Sequence, residues 1–160
     1  MVVIKNILVA TDFSEPSAVA LAYGRDLART YGARLHVLHV VQDMVLMYAP
    51  EIGFVTAETQ SDLEKIGNRQ LQALITEDDR QTLDVVPVVD RGINFADVIT
   101  RYAKANVIDL IITGTHGRGA VKQFLMGNVA ERVVRTAPCP VLTVRAHERD
   151  FIVPDALVKV

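Results

Sequence analysis

The sequence predicts an α/β fold built on an open parallel sheet, and three observations predict it. Short apolar runs alternate with longer amphipathic stretches in the order βαβαβαβαβ. The runs are nearly continuous rather than alternating, as expected of strands covered on both faces. Each stretch between runs is long enough for a helical crossover, which is right-handed in such units.

Ile4–Ala10 is the first predicted strand, closed by Thr11 and Asp12. Ser14 then serves as N-cap and Pro16 falls in the first helical turn, where a missing N–H does no harm. Ala20, Tyr23, Leu27 and Tyr31 recur at helical spacing, Arg25, Asp26 and Arg29 face away, and Gly32 ends the helix. Arg34–Val41 is the second strand. A helix is expected over Thr56–Glu77, with Leu63, Ile66, Leu71, Leu74 and Ile75 on one stripe. Thr82–Val89 is the third strand; Pro87 inside it predicts an edge position. Gly92 opens a turn, and Phe95, Ile99, Tyr102 and Ala103 mark the next helix. Val107–Thr113 is a strongly apolar fourth strand, expected in the sheet interior. A glycine-rich stretch from Gly114 to Gly127 precedes a helix carrying Val129, Val133 and Val134, and Val141–Arg145 is the fifth strand. Asp43–Phe54 has no clear period and reads either as a loop over the core or as an apolar lid beside a ligand.

Composition excludes several classes. The 160 residues fit one domain that buries roughly 70% of its unfolded surface. A hydrophobic fraction of 50% is too high for disorder, and no run approaches the ~18 apolar residues of a membrane span. No signal peptide is legible at the N-terminus, so a cytoplasmic location is expected. The single cysteine, Cys139, excludes an internal disulfide framework and a multi-cysteine zinc site. With 17 basic against 19 acidic residues and a net charge of −2, the chain lacks the basic surplus of a dedicated nucleic-acid binder. Any phosphate must be held locally, by backbone amides and a few side chains.

In open α/β sheets, ligands bind beyond the carboxyl ends of the strands, where the strand order reverses. Thr11-Asp12, Val40-Val41 and Gly114–Gly119 all fall there. Glycines let backbone amides approach an anion closely, and Gly127-Asn128 opens the last helix, whose free N–H groups favour phosphate. Standard signatures do not fit. Ala120 stands where a P-loop needs Lys, Lys122 stands where the dinucleotide fingerprint needs its last Gly, and no GxSxG elbow occurs.

Read as Gly114-x2-Gly117-x9-Gly127-Asn128, the stretch resembles the nucleotide-binding motif G-x2-G-x9-G-[ST] of the universal stress protein family. Lys5–Ser14, Leu38–Val40, Gly92–Asn94 and Ala130–Leu142 are similar to that family's recurring segments, in the same order. The resemblance defines a domain over residues 1–146 and leaves 147–160 as an apolar tail outside it. It implies a Rossmann-like five-stranded parallel sheet of order 3-2-1-4-5, of the adenine nucleotide α-hydrolase-like kind, with helices on both faces. It further implies a homodimer through strand five, Val141–Arg145, and binding of ATP or AMP, with Mg2+ or Mn2+ held through the phosphates. Adenosine then meets Ala10, Thr11, Asp12 and Val40. The phosphates meet Gly114, Thr115, Gly117, Arg118, Gly119, Gly127, Asn128 and Val129.

Asn128 departs from the motif's Ser or Thr: it either donates to phosphate through its amide or caps the helix. Asp12 either binds ribose or caps the turn into the first helix. His116 reads as a solvent-facing loop residue or a phosphate contact, with Arg118 and Lys122 as local positive charge. His36 and His39 lie three apart on a strand and so point to opposite faces, against a shared metal site. Cys139 reads as a small buried hydrophobe. No base for an attacking water is apparent, so the expected role is a binding or sensor module. The alternatives are a nucleotide-free dimeric interaction module and a slow ATP hydrolase.

Overall fold

A computed structural model describes residues 1–45, 57–115 and 128–146. The elements run β1 (Asn6–Thr11), α1 (Glu15–Tyr31), β2 (Arg34–Gln42), α2 (Ala57–Leu74), α3 (Glu77–Thr82), β3 (Val85–Gly92), α4 (Phe95–Ala105), β4 (Leu110–Gly114), α5 (Asn128–Thr136) and β5 (Val141–Val144). All neighbouring strands pair in parallel and the order is β3-β2-β1-β4-β5, as the resemblance implied. β3 is an edge strand, where Pro87 is tolerated.

The continuous apolar runs are explained by a core on each face. Ile7, Val9, Leu35 and Val37 meet Leu21 and Ala28 of α1 and Leu71 of α2 on one side. Leu8, Leu38 and Ile111 meet Ile99 and Ala103 of α4 and Val133 of α5 on the other. His36 and His39 follow the same alternation. His36 reaches Tyr102 of α4, whereas His39 stacks on Phe13 and borders Gly67 of α2.

Several expected boundaries move. The long helix does not reach Glu77, because Thr76 starts a new one: its hydroxyl accepts from Asp79 N–H (3.1 Å) while the Asp79 carboxylate accepts from Thr76 N–H (2.9 Å). Thr82 is therefore helical and β3 begins at Val85. β4 begins at Leu110 because Val107 sits in a turn at φ +49°. β5 ends at Val144 rather than Arg145. Gly32 closes α1 at φ +62°, and its N–H bonds the Ala28 carbonyl, as a C-terminal glycine should.

Buried stripes are also corrected. In α1 the buried set is Ser17, Ala20, Leu21, Gly24 and Ala28, with Tyr31 exposed. Arg25 does not face away: it makes a bidentate pair with the buried Asp79 at 2.8 and 2.6 Å, tying α1 to α3. In α2, Gln60, Gly67 and Leu71 are buried and Ile66 is exposed. In α5, Ala130 and Val133 are buried, while Val129 and Val134 are exposed. The segment 46–56, most of the glycine-rich stretch and the tail lie outside the described residues.

Candidate functional site

The order reverses between β1 and β4, so a crevice opens beyond their carboxyl ends. The β1 side is built by main chain. Arg34 N–H donates to Lys5 O across to β1, Leu35 N–H donates to Asp84 O on the β3 side, and Asp43 N–H donates to Gly92 O. Even-numbered residues of β2 therefore turn their main chain toward β1, and odd-numbered residues toward β3. The β1 ladder ends at Thr11, opposite His39, but β2 continues beside β3 as far as Gln42. In this register the amide that would next donate to the Val40 carbonyl is that of Phe13. It donates instead to Thr11 Oγ1 (3.1 Å), from a residue at φ +63°. Val40 C=O and Gln42 N–H are thus left facing the crevice, with no strand beside them among the described residues.

The turn after β1 is fixed by hydroxyls. Thr11 Oγ1 lies 3.2 Å from Ser17 Oγ, and Ser17 Oγ donates to the Ser14 carbonyl (2.8 Å). Asp12 Oδ1 accepts from both the N–H (3.0 Å) and the hydroxyl of Ser14. The turn-capping reading of Asp12 is therefore realised. Ser14 occupies the N-cap with extended backbone, but its side chain makes no cap bond to the helix. His39 Nδ1 meets Thr11 O at 2.9 Å and so carries its proton on that nitrogen. Its ring centroid lies 4.4 Å from that of Phe13.

The opposite wall is β4 and α5. Gly114 lies hard against the first turn of α1: a Cβ there would stand 2.7 Å from Pro16 Cβ and 2.8 Å from its carbonyl carbon. The first glycine of the motif is thus required by helix–strand packing. Thr115 is buried, and its N–H donates to Val144 O (2.8 Å). Thr136 leads directly to the start of β5, so the N-terminus of α5 lies at the carboxyl edge of the sheet. Asn128 is the first described residue of α5, and the residue before it lies outside the described residues. Asn128 and Val129 are exposed and line a shallow cleft of about 280 Å³ with Ile93, Asn94, Phe95 and Arg132. Asn94 caps α4, accepting from Asp97 N–H (3.3 Å).

Ala10, Thr11, Asp12, Val40, Gly114, Thr115, Asn128 and Val129 thus gather at one edge of the sheet. Gly117, Arg118, Gly119, Gly127, His116 and Lys122 lie outside the described residues. Cys139 is half-buried beside the α4–α5 core, and burial pushes its thiol up, as for an inert packing group. Among the described residues no group of three His, Cys, Asp or Glu side chains is placed to hold a metal ion. No described helix is long and apolar enough to cross a membrane. Sequence reasoning missed Gln60 and Gln42, whose polar character gives no hint that they hold or present main chain.

The profile of the Universal stress protein family matches residues 4–145. A universal stress protein of Thermus aquaticus is 34% identical over 145 residues, covering 88% of this chain and 98% of its own. The structure of MJ0577, a universal stress protein of Methanocaldococcus jannaschii, superposes with a TM-score of 0.78 at 26% identity, covering 93% of this chain and all of its own. A universal stress protein of Archaeoglobus fulgidus in complex with dAMP has the same fold, with a TM-score of 0.60 at 19% identity, covering 90% of this chain and 99% of its own.

Proposed function

The chain belongs to the universal stress protein family, and from that premise we propose that it binds an adenine nucleotide, ATP or AMP, and acts as a cytoplasmic sensor or regulatory module in a stress response. The observation that carries this reading is the main chain of β2 running past the end of β1. The Val40 carbonyl and the Gln42 N–H present an acceptor and a donor along one edge. Adenine offers the complement, the N6 amino group and N1, whereas guanine offers O6 and a protonated N1. The dAMP held by the Archaeoglobus relative supports an adenine nucleotide on this fold.

In this reading Ala10, Thr11 and Asp12 line the adenosine, with Asp12 beside the ribose. Gly114, Thr115, the glycine loop and the first residues of α5 surround the phosphates, where the helix N-terminus favours negative charge. Mg2+ or Mn2+ would be held by phosphate oxygens and water. Partners would read a surface that changes with occupancy, on a homodimer formed by pairing of the β5 edges.

Denaturing the purified protein and identifying released nucleotide by mass spectrometry tests this reading. An adenine nucleotide is the expected result. Empty protein that also gives no heat with Mg-ATP overturns the reading in favour of a nucleotide-free interaction module, the alternative that Asn128 favours. Asn128→Ser is expected to tighten triphosphate binding by a factor of ~10 or less, on the order of one hydrogen bond, by calorimetric titration.

A further inference from the structure

Where the chain leaves β2 it is gripped by a buried amide. Gln60, in the first turns of α2, is 1% exposed. Its Oε1 accepts from Met44 N–H (2.9 Å) and its Nε2 donates to the Gln42 carbonyl (3.3 Å). A glutamine amide is costly to bury unless both its ends are bonded, and here both are committed to main chain on either side of Asp43. From the opposite side, Asp43 N–H donates to Gly92 O (3.1 Å), and the Asp43 carboxylate lies 3.6 Å from Arg91 Nε. Residues 42–44 are thereby fixed from two directions, immediately after the stretch that turns its main chain to the crevice.

We infer that Gln60 is a positioning residue for the base end of the nucleotide site, an inference that rests on the function proposed above. Val40 C=O and Gln42 N–H are correctly spaced for a base edge only while β2 stays extended through Gln42. β1 no longer braces that stretch, because its ladder ends opposite His39. Gln60 supplies the brace: holding the Gln42 carbonyl restrains rotation about the same residue whose N–H meets the base. None of its hydrogen bonds reaches β4 or α5, so the phosphate end is independent of it.

The experiment measures affinity of the full chain for Mg-ATP, Mg-GTP and magnesium tripolyphosphate, in the wild type, Gln60→Leu and Gln60→Glu. Gln60→Leu removes both bonds. It is expected to lose about tenfold in ATP affinity and the same factor in ATP-over-GTP preference, with tripolyphosphate unchanged. Gln60→Glu keeps an acceptor for Met44 N–H and loses the donor to Gln42, and a smaller narrowing in the same direction is expected. Equal losses for all three ligands, or an unchanged base preference, overturn the positioning role. If Gln60→Leu does not fold, Gln60→Glu decides: wild-type preference there overturns it. Wild-type protein that binds no nucleotide overturns the proposed function itself, whereas a wild type that prefers ATP beside variants that keep that preference overturns only the role of Gln60.

Discussion

On one face of the sheet α1, α2 and α3 surround an ion pair with a buried carboxylate; on the other, α4 covers a histidine with one hydrogen-bond partner among the described residues. Asp79 is bonded by Arg25, by the Thr76 N–H and, through its own N–H, by the Thr76 hydroxyl. Burial alone would raise its carboxyl, but Arg25 and Thr76 outweigh that and hold it below the usual range. His36, 5% exposed, has Nδ1 at 2.8 Å from Tyr102 Oη, while its Nε2 is buried with no hydrogen-bond partner among the described residues. Burial, with Arg34 second, lowers its pKa, so it stays neutral. One face thus keeps a charge because the charge is completed; the other keeps a titratable group by suppressing its charge.

The contrast can be broken most severely at Asp79. Asp79→Ala removes the capping box and takes the carboxylate from the half-buried Arg25 guanidinium, which keeps its bond to the Leu74 carbonyl, and a loss of about 3 kcal/mol in urea unfolding is expected. On the same face Gly114→Ala drives a methyl into Pro16, with about 2 kcal/mol expected from overpacking. On the other face Tyr102→Phe leaves His36 Nδ1 without its hydroxyl, costing about 1 kcal/mol. The double variant His36→Leu, Tyr102→Phe is expected to recover most of that loss, because no polar atom of the pair is left stranded.

The smallest effect sharpens the contrast by pH. His36 has a lowered folded-state pKa, so its contribution is complete above the unfolded value of about 6.5 and declines as pH falls below it. The Asp79 contribution is complete above about 4 and is lost only in stronger acid. Acidification from pH 7 to 5.5 should therefore lower the wild-type Tm slightly through the α4 face, and His36→Leu should flatten that slope. An unchanged slope in His36→Leu would show that another group governs it.

The sheet was legible because its cause is local: continuous apolar runs and strong helix stops such as Gly32 need no knowledge of partners. Pro87 even marked its own strand as an edge. The short α3 was legible in principle, since Thr76 followed three residues later by Asp79 is a capping box, but it adjoins a long helix that overshadows it. Val107 at φ +49° was not, because a β-branched residue in an apolar run argues for strand. The place of Asp12 and Gly114 beyond the carboxyl ends of β1 and β4 was legible from the strand order, whereas the motif's other glycines lie outside the described residues. The base end of the site was not legible, because main-chain groups at Val40 and Gln42 are exposed by where a neighbouring strand stops, and that is a tertiary fact.

Pro87 has a final consequence for how this sheet meets other sheets. Val37 directs its main chain toward β3, so its partner Pro87 presents its own main chain outward, on the open side. A proline there deletes a donor from the row that any incoming strand would need. β5, at the opposite edge, spans Val141–Val144 with no proline inside it. The two borders therefore differ: the β3 edge lacks one donor, and the β5 strand itself carries no proline. In the homodimer proposed above, joined at β5, the borders left outside would be the proline-bearing ones, which would disfavour further strand addition.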